Sequence, residues 1–113
     1  MNSEQTKDQF EYLKNKMDKF LEERNWKEYH TPKNLAMSIS IEAAELMELF
    51  QWNNPSAKDV LKEKKLMSDV EDEIADIIIY SISLARSLDI NLFDAIVKKM
   101  ERNNHRFPPA KET

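Results

Sequence analysis

Three glutamates recur at three-residue intervals in residues 41–52, IEAAELMELFQW: Glu42, Glu45 and Glu48. In a helix, with about 100° per residue, Glu42 falls among leucines on the apolar side, and Glu45 lies about 60° away at the border of that side. Burying an unpaired carboxylate costs several kcal/mol or forces the group to take a proton. A bound cation between two such carboxylates would remove that cost, so this stretch indicates metal chemistry.

A second acidic pair repeats the spacing. Glu73 and Asp76 form an ExxD pattern on a later helical segment, and Tyr80 falls on the same side of that helix. If the two helices face each other, four carboxylates converge, which suits hard oxygen-seeking cations such as Mg²⁺ or Mn²⁺. A single ExxE is more often a solvated helix face. That reading fits three other acidic residues, which fall nearer the outer sides: Glu48, Glu71 and Asp72.

Other side chains carry weaker signals. His30 alone is more often a capping or packing residue than a catalyst, and one histidine without cysteines does not make a zinc site. Trp26 and Trp52 would by default belong to a core or an interface. A group of basic residues near the C-terminus is either a solvated face or a phosphate contact: Lys98, Lys99, Arg102, His105 and Arg106.

The elements that must position these residues are helices. The chain has no glycine, four prolines and 34% charged residues, a composition that disfavours sheets and tight hairpins. Apolar residues at spacings of three and four predict helices over residues 3–24, 32–51, 56–87 and 91–104. The third is either one long rod or two pieces that meet near the lysine-rich residues 62–65. Residues 74–84 are apolar nearly all round, which predicts packing against a second subunit.

Helix starts are marked by specific pairs. Thr31 before a proline predicts an N-cap, Ser56 with Asp59 predicts a capping box, and Asn91 with Asp94 predicts a third cap. By length the 113 residues predict a single domain, 1–113, with a mobile tail after about residue 109.

Several functional classes are disfavoured. The chain has no cysteine, which excludes disulfides and thiolate metal sites, and no apolar run that resembles a signal peptide or a membrane span. We therefore expect a cytoplasmic protein without membrane contact. The net charge of −4 argues against a nucleic acid polymer as partner, because phosphate backbones require a basic face. A nucleotide that carries its own cations remains compatible.

Three stretches together resemble a known family. They are residues 24–52, RNWKEYHTPKNLAMSISIEAAELMELFQW, residues 71–80, EDEIADIIIY, and residues 99–108, KMERNNHRFP. The chain resembles the all-α MazG-like nucleotide pyrophosphohydrolases, and within them the compact dCTP pyrophosphatase branch. The resemblance covers nearly the whole chain in order, although the first helix matches only in character.

The resemblance implies a function and an assembly. It implies Mg²⁺-dependent hydrolysis of a nucleoside triphosphate to the monophosphate and pyrophosphate, in a four-helix bundle protomer that assembles as a dimer or a dimer of dimers. The metal ligands would be Glu42, Glu45, Glu73 and Asp76. The base and sugar would contact Trp26, His30, Asn34 and Trp52, and the sugar and phosphates would contact Tyr80, Lys99, Asn103 and Arg106.

The chemistry of the residues themselves is consistent with these roles. Phosphoanhydride cleavage needs neutralised phosphate charge and an activated water, and Glu45, at the edge of the apolar side, is our candidate general base, with Glu42 as the alternative. We expect dCTP to be favoured, in a nucleotide-pool cleansing role. The alternatives are the same chemistry on dATP, dUTP or a modified nucleotide, and a non-catalytic helical scaffold with a structural cation. Ser38 and Ser40 replace bulkier apolar residues of the family, which makes the pocket floor a point of difference.

Overall fold

Five α-helices and one 3₁₀ turn make up residues 3–110, the part of the chain that the computed structural model describes; side chains are described for residues 9–110. The elements in order are α1 (Ser3–Glu23), the 3₁₀ turn (Lys27–Tyr29), α2 (Pro32–Glu48), α3 (Ala57–Leu61), α4 (Lys64–Ser87) and α5 (Leu92–Arg106). No strand occurs in these residues, which confirms the all-α class. The predicted mobile tail lies largely outside the described residues.

The helix starts follow the predicted caps. Thr31 Oγ1 accepts a hydrogen bond from the amide three residues later, at 3.2 Å. Ser56 and Asp59 exchange two hydrogen bonds at 3.2 and 3.3 Å, which completes the capping box. Asn91 Oδ1 accepts a hydrogen bond from the amide of Asp94 at 3.1 Å. Each bond satisfies an amide that the first helical turn would otherwise leave without a partner.

The segment that could have been one rod is two helices. α3 ends at Leu61 and α4 begins at Lys64, because the backbone of Glu63 is extended, with φ −105° and ψ 100°. Residues 3–110 therefore contain five α-helices where four were expected. α2 is also shorter than predicted: it ends at Glu48, and the next amides form tight i to i+3 hydrogen bonds of 3.0 to 3.2 Å that close its last turn.

α2 and α4 form the main helix pair and run antiparallel. Glu42 in the middle of α2 faces Glu73 and Asp76 in the middle of α4. Arg86, near the end of α4, lies close enough to His30, just before α2, for its charge to act on the imidazole. α1 packs across the C-terminal part of α4, and α5 makes its main contact with α1.

The buried core of the described residues is small. It consists of Leu21, Leu35, Ile82 and Ala85, with Ser83 as the buried polar residue. The radius of gyration is 17.4 Å, whereas a compact domain of about 100 residues has roughly 13 Å. None of the helices in the described residues is long and apolar enough to cross a bilayer.

α4 leaves apolar side chains uncovered in the protomer. Ile74, Ile78 and Ile79 are 45%, 46% and 44% exposed. α5 likewise has an open apolar face that includes Ile96 and Met100. That these surfaces pack against a second subunit stays a prediction. Such packing would explain why the isoleucines are exposed in the protomer.

Candidate metal centre

Three carboxylates from two helices come together between α2 and α4. Glu42, Glu73 and Asp76 each offer one oxygen, and these oxygens lie within 4.8 Å of one another. All three side chains are half-buried. Glu73 and Asp76 share one face of α4 because residues three apart are neighbours on a helix. The packing of α2 on α4 therefore brings Glu73 and Asp76, the second acidic pair, against Glu42 of the first pair.

Two carboxylate oxygens of the triad have no hydrogen-bond partner. Glu42 Oε2 and Glu73 Oε2 are buried and have no hydrogen-bond partner. Close contact with the Glu73 carboxyl group raises the pKa of Glu42, and burial raises it further. Two facing carboxylates with unpartnered oxygens need either a shared proton or a cation. The group therefore fits a hard divalent cation with oxygen ligands.

Glu45 lies beside this triad and is exposed. Its side chain is close enough to Glu42 to share a hydrogen bond, and that contact is the main cause of its raised pKa. The like charge of Glu42 and burial raise the pKa in the same direction. Glu45 is thus electrostatically coupled to the triad while it remains open to solvent. A carboxylate in this position can add a metal ligand or accept a proton from a water.

The two tryptophans lie beyond opposite ends of α2 and differ in their surroundings. Trp52 lies in the turn after α2 and is 85% exposed. Trp26 lies between α1 and the 3₁₀ turn, and its ring meets the ring of Phe20 edge-on, with centroids 5.8 Å apart at 71°. Arg24 stacks its guanidinium on the same Phe20 ring, 3.7 Å from the centroid. Trp26 is therefore held by its neighbours, whereas Trp52 offers a free aromatic face.

His30 and Asn34 lie at the entry to α2. Asn34 Nδ2 donates a hydrogen bond to the carbonyl of Tyr29 at 3.0 Å, which ties the start of α2 to the preceding turn. His30 Nδ1 is buried without a hydrogen-bond partner. Burial lowers the pKa of His30, and the positive charge of Arg86 lowers it further. His30 thus favours the uncharged imidazole.

The remaining predicted site residues divide between two helices. Tyr80 is half-buried on α4, one turn beyond Asp76. Lys99, Asn103 and Arg106 are exposed on α5, whose main helix contact in the protomer is with α1 rather than with the α2–α4 pair. The structure therefore groups Tyr80 with the acidic triad and places the α5 residues on a separate, open helix.

The ion pairs of the described residues were not predicted from the sequence, and one of them joins two helices. Arg86 Nε lies 2.8 Å from Asp18 Oδ1, between α4 and α1. A signal was present, because Arg86 is the only basic residue between Lys65 and Lys98 and follows an apolar run. Its partner could not be inferred, because Asp18 is one of several acidic residues on α1.

Comparison with known proteins adds independent information. Residues 37–113 match the model of the MazG-like family. The chain is 33% identical to rat dCTP pyrophosphatase 1 over 90 residues and 33% identical to the human protein over 92 residues, which in each case is 79% of this chain and 53% of the relative. It thus spans about half the length of these relatives. A crystal structure of a pyrophosphatase from Archaeoglobus fulgidus is similar, with 43% identity and a TM-score of 0.79 over 88% of this chain and 92% of that one.

Proposed function

Because the chain belongs to the MazG-like family, we propose that it is a Mg²⁺-dependent nucleotide pyrophosphohydrolase that cleaves a nucleoside triphosphate to the monophosphate and pyrophosphate. The observation that carries the proposal is the triad Glu42, Glu73 and Asp76, with two buried carboxylate oxygens that lack partners. The names of the relatives, dCTP pyrophosphatase and pyrophosphatase, support the same chemistry. Residues 1–113 would form one MazG-like domain.

The triad would hold the metal, with Glu45 as the fourth carboxylate. Mg²⁺ supplies, when bound, neutralisation of phosphate charge and a more acidic water. Glu45 is the group we assign as the proton acceptor, because it is exposed to incoming water and its side chain lies next to Glu42 at the edge of the triad. The water oxygen would bond to the α-phosphorus as its proton passes to Glu45, the bond from the α-phosphorus to the bridging oxygen would break, and pyrophosphate would leave with that oxygen. Glu42 is the alternative proton acceptor.

Nucleotide binding would use the remaining candidate residues. Trp26 and Trp52 lie beyond opposite ends of the 17-residue α2, which is about 25 Å long, so they would contact the base from two different protomers. Trp52 is open enough for its ring to stack on a base. The uncharged His30 can both donate and accept a hydrogen bond, and with Asn34 it would contact the base or sugar. The sugar and phosphates would be bound by Tyr80, Lys99, Asn103 and Arg106. dCTP is our favoured substrate, because the matched relatives are named for it; dATP, dUTP and modified nucleotides are the alternatives.

The assembly belongs to the proposal as well. The exposed isoleucines of α4, the open apolar face of α5 and the small core favour a dimer or a dimer of dimers. In such an assembly the basic α5 of one protomer could reach the triad of another. Sedimentation equilibrium would decide: a monomer at micromolar concentration would contradict this part of the proposal.

The functional experiment is a nucleotide panel. Each dNTP is incubated with the protein and Mg²⁺, and pyrophosphate release is measured. We expect release with dCTP above the other three and none in EDTA. A non-catalytic scaffold that binds a structural cation would release none with any nucleotide at substantial protein concentration.

A further inference from the structure

The ion pair between Asp18 and Arg86 is more buried than the other ion pairs of the described residues. Its side chains are only 24% and 20% exposed, and Arg86 Nε lies 2.8 Å from Asp18 Oδ1. In the pairs that lie within or next to single helices, both side chains are at least 37% exposed. Asp18 Oδ1 and Arg86 Nε are each buried without a hydrogen-bond partner, so the contact between them is ionic. Solvent screens this half-buried pair less than it screens an exposed pair.

The helix that this ion pair fixes also supports Trp26, one of the two tryptophans of the proposed site. Asp18 lies less than one helical turn before Phe20 and Leu21, and the side chain of Leu21 is buried. The amide of Trp26 donates to the Leu21 carbonyl at 3.0 Å, and the Trp26 ring packs edge-on against Phe20. Any shift of α1 relative to α4 would therefore move Trp26.

The same ion pair sets the charge next to His30. The imidazole Nδ1 is buried without a partner, and the charged group that acts on the ring from α4 is Arg86. Two acidic side chains of the C-terminal part of α1 form ion pairs with other residues: Asp18 pairs with Arg86, and Glu22 pairs with Lys27 at 2.7 Å. No carboxylate therefore stabilises an imidazolium at His30 among the contacts of this cluster.

We propose that the Asp18–Arg86 ion pair positions residues of the nucleotide site. It holds the connection formed by residues 26–30 against the end of α4, and it keeps the imidazole of His30 uncharged when the substrate binds. This inference rests on the proposed function. An uncharged imidazole offers one donor and one acceptor to a polar base edge, whereas an imidazolium offers only donors. Asp18 balances the charge of its partner, because without its carboxylate the half-buried guanidinium would be uncompensated.

The first test is an NMR titration of the metal-free full chain. The protein has two histidines, so His30→Gln assigns the signals of each. We expect His30 to titrate below the ordinary value of 6.5. Arg86→Met should move its midpoint upward, Arg86→Lys should keep it near the wild-type position, and Asp18→Asn should move it further down. An unchanged midpoint in both Arg86→Met and Asp18→Asn would overturn the inference.

A matched control separates this effect from a general loss of a surface ion pair. Lys65 and Asp69 form an exposed pair at 3.3 Å on the same helix as Arg86. Lys65→Met should leave the His30 midpoint where it is in the wild type. A shift of equal size in Lys65→Met and Arg86→Met would overturn the specific role of Arg86. If Arg86→Met does not fold, Asp18→Asn carries the test, with the opposite sign.

The second test reads the positioning role in turnover. For Arg86→Met we expect KM to rise roughly three- to tenfold at pH 6 relative to the wild type, as for the loss of one hydrogen bond. At pH 8 the rise should be smaller, kcat should change little at either pH, and Arg86→Lys should restore KM. A fall in kcat with constant KM would overturn the positioning role. A wild type without turnover would refute the proposed function, whereas the NMR titration would still decide the charge of His30.

Discussion

Glu42 on α2 and Glu73 on α4 face each other with buried Oε2 atoms that have no hydrogen-bond partner. Asp76, one turn along α4, brings a third carboxylate oxygen within 4.8 Å of both. Close contact with the Glu73 carboxyl group, burial, and the like charges of Glu73 and Asp76 all raise the pKa of Glu42. A divalent cation would turn this unfavourable cluster into a bound link between the two main helices.

Metal binding should therefore stabilise the fold. We expect saturating Mg²⁺ to raise the Tm of the metal-free protein by at least about 5 °C, because a ligand that binds only the folded state adds its binding free energy to stability. Glu73→Gln should abolish most of the rise. Glu71→Gln, an exposed change on the same helix, should keep it. Differential scanning calorimetry measures all three, and an equal rise in Glu73→Gln would contradict the assignment of the triad.

The raised pKa values of Glu42 and Glu45 predict an unusual pH dependence for the metal-free protein. A carboxyl group whose pKa is higher in the folded than in the unfolded state stabilises the fold when it is protonated. The stabilisation is full below the ordinary value of 4.5 and is lost as the pH rises through the raised values. Urea unfolding measures the free energy of unfolding at each pH. In Glu42→Gln this free energy should fall less than in the wild type as the pH rises from 4.5 through the raised pKa values. A loss of equal size in both proteins would contradict the coupling.

Turnover should depend on one carboxylate of α4 and not on another nearby. Asp76→Asn should reduce kcat by at least about 100-fold, because it removes a charged metal ligand, while the helical fold and the oligomer persist. Asp72→Asn, four residues earlier and exposed, should keep kcat within about twofold of wild type. Circular dichroism provides the check of the fold. Full activity in Asp76→Asn would remove it from the metal site.

Trp52 should contribute to binding rather than to chemistry. An 85% exposed tryptophan gains contacts when a base stacks on it, and such stacking is worth roughly 1 to 3 kcal/mol. Trp52→Ala should raise KM by about five- to 100-fold with little change in kcat. Trp52→Phe retains an aromatic face and should recover much of the affinity. If KM is unchanged in the alanine variant, Trp52 belongs to a packing contact instead.

The parts of the fold that follow from local chemistry were predictable. Thr31, Ser56 and Asn91 marked helix starts because their side-chain oxygens satisfy free amides of the first turn, and the structure has all three hydrogen bonds. The three-residue spacing of Glu73 and Asp76 was enough to place both on one face. The all-α class followed from composition and apolar spacing, and the family followed from the resemblance of three stretches to its members.

Tertiary geometry set the limits of prediction. The break between α3 and α4 depends on the extended backbone of Glu63. The lysine-rich residues 62–65 indicated where a break would fall but not whether there is one. The exposure of Glu45, in contrast to the half-burial of Glu42, depends on how far α2 rotates against α4, and a helical wheel does not contain that rotation. The Asp18–Arg86 contact needs the crossing of α1 over α4, which no local pattern of residues encodes.

The central claim, metal-dependent cleavage between the α- and β-phosphates, is tested most directly by ³¹P NMR of dCTP incubated with the protein and Mg²⁺. We predict that the three triphosphate signals give way to one pyrophosphate signal and one monophosphate signal, and that EDTA prevents the change. Formation of dCDP and inorganic phosphate, or an unchanged dCTP spectrum at substantial protein concentration, would contradict the claim.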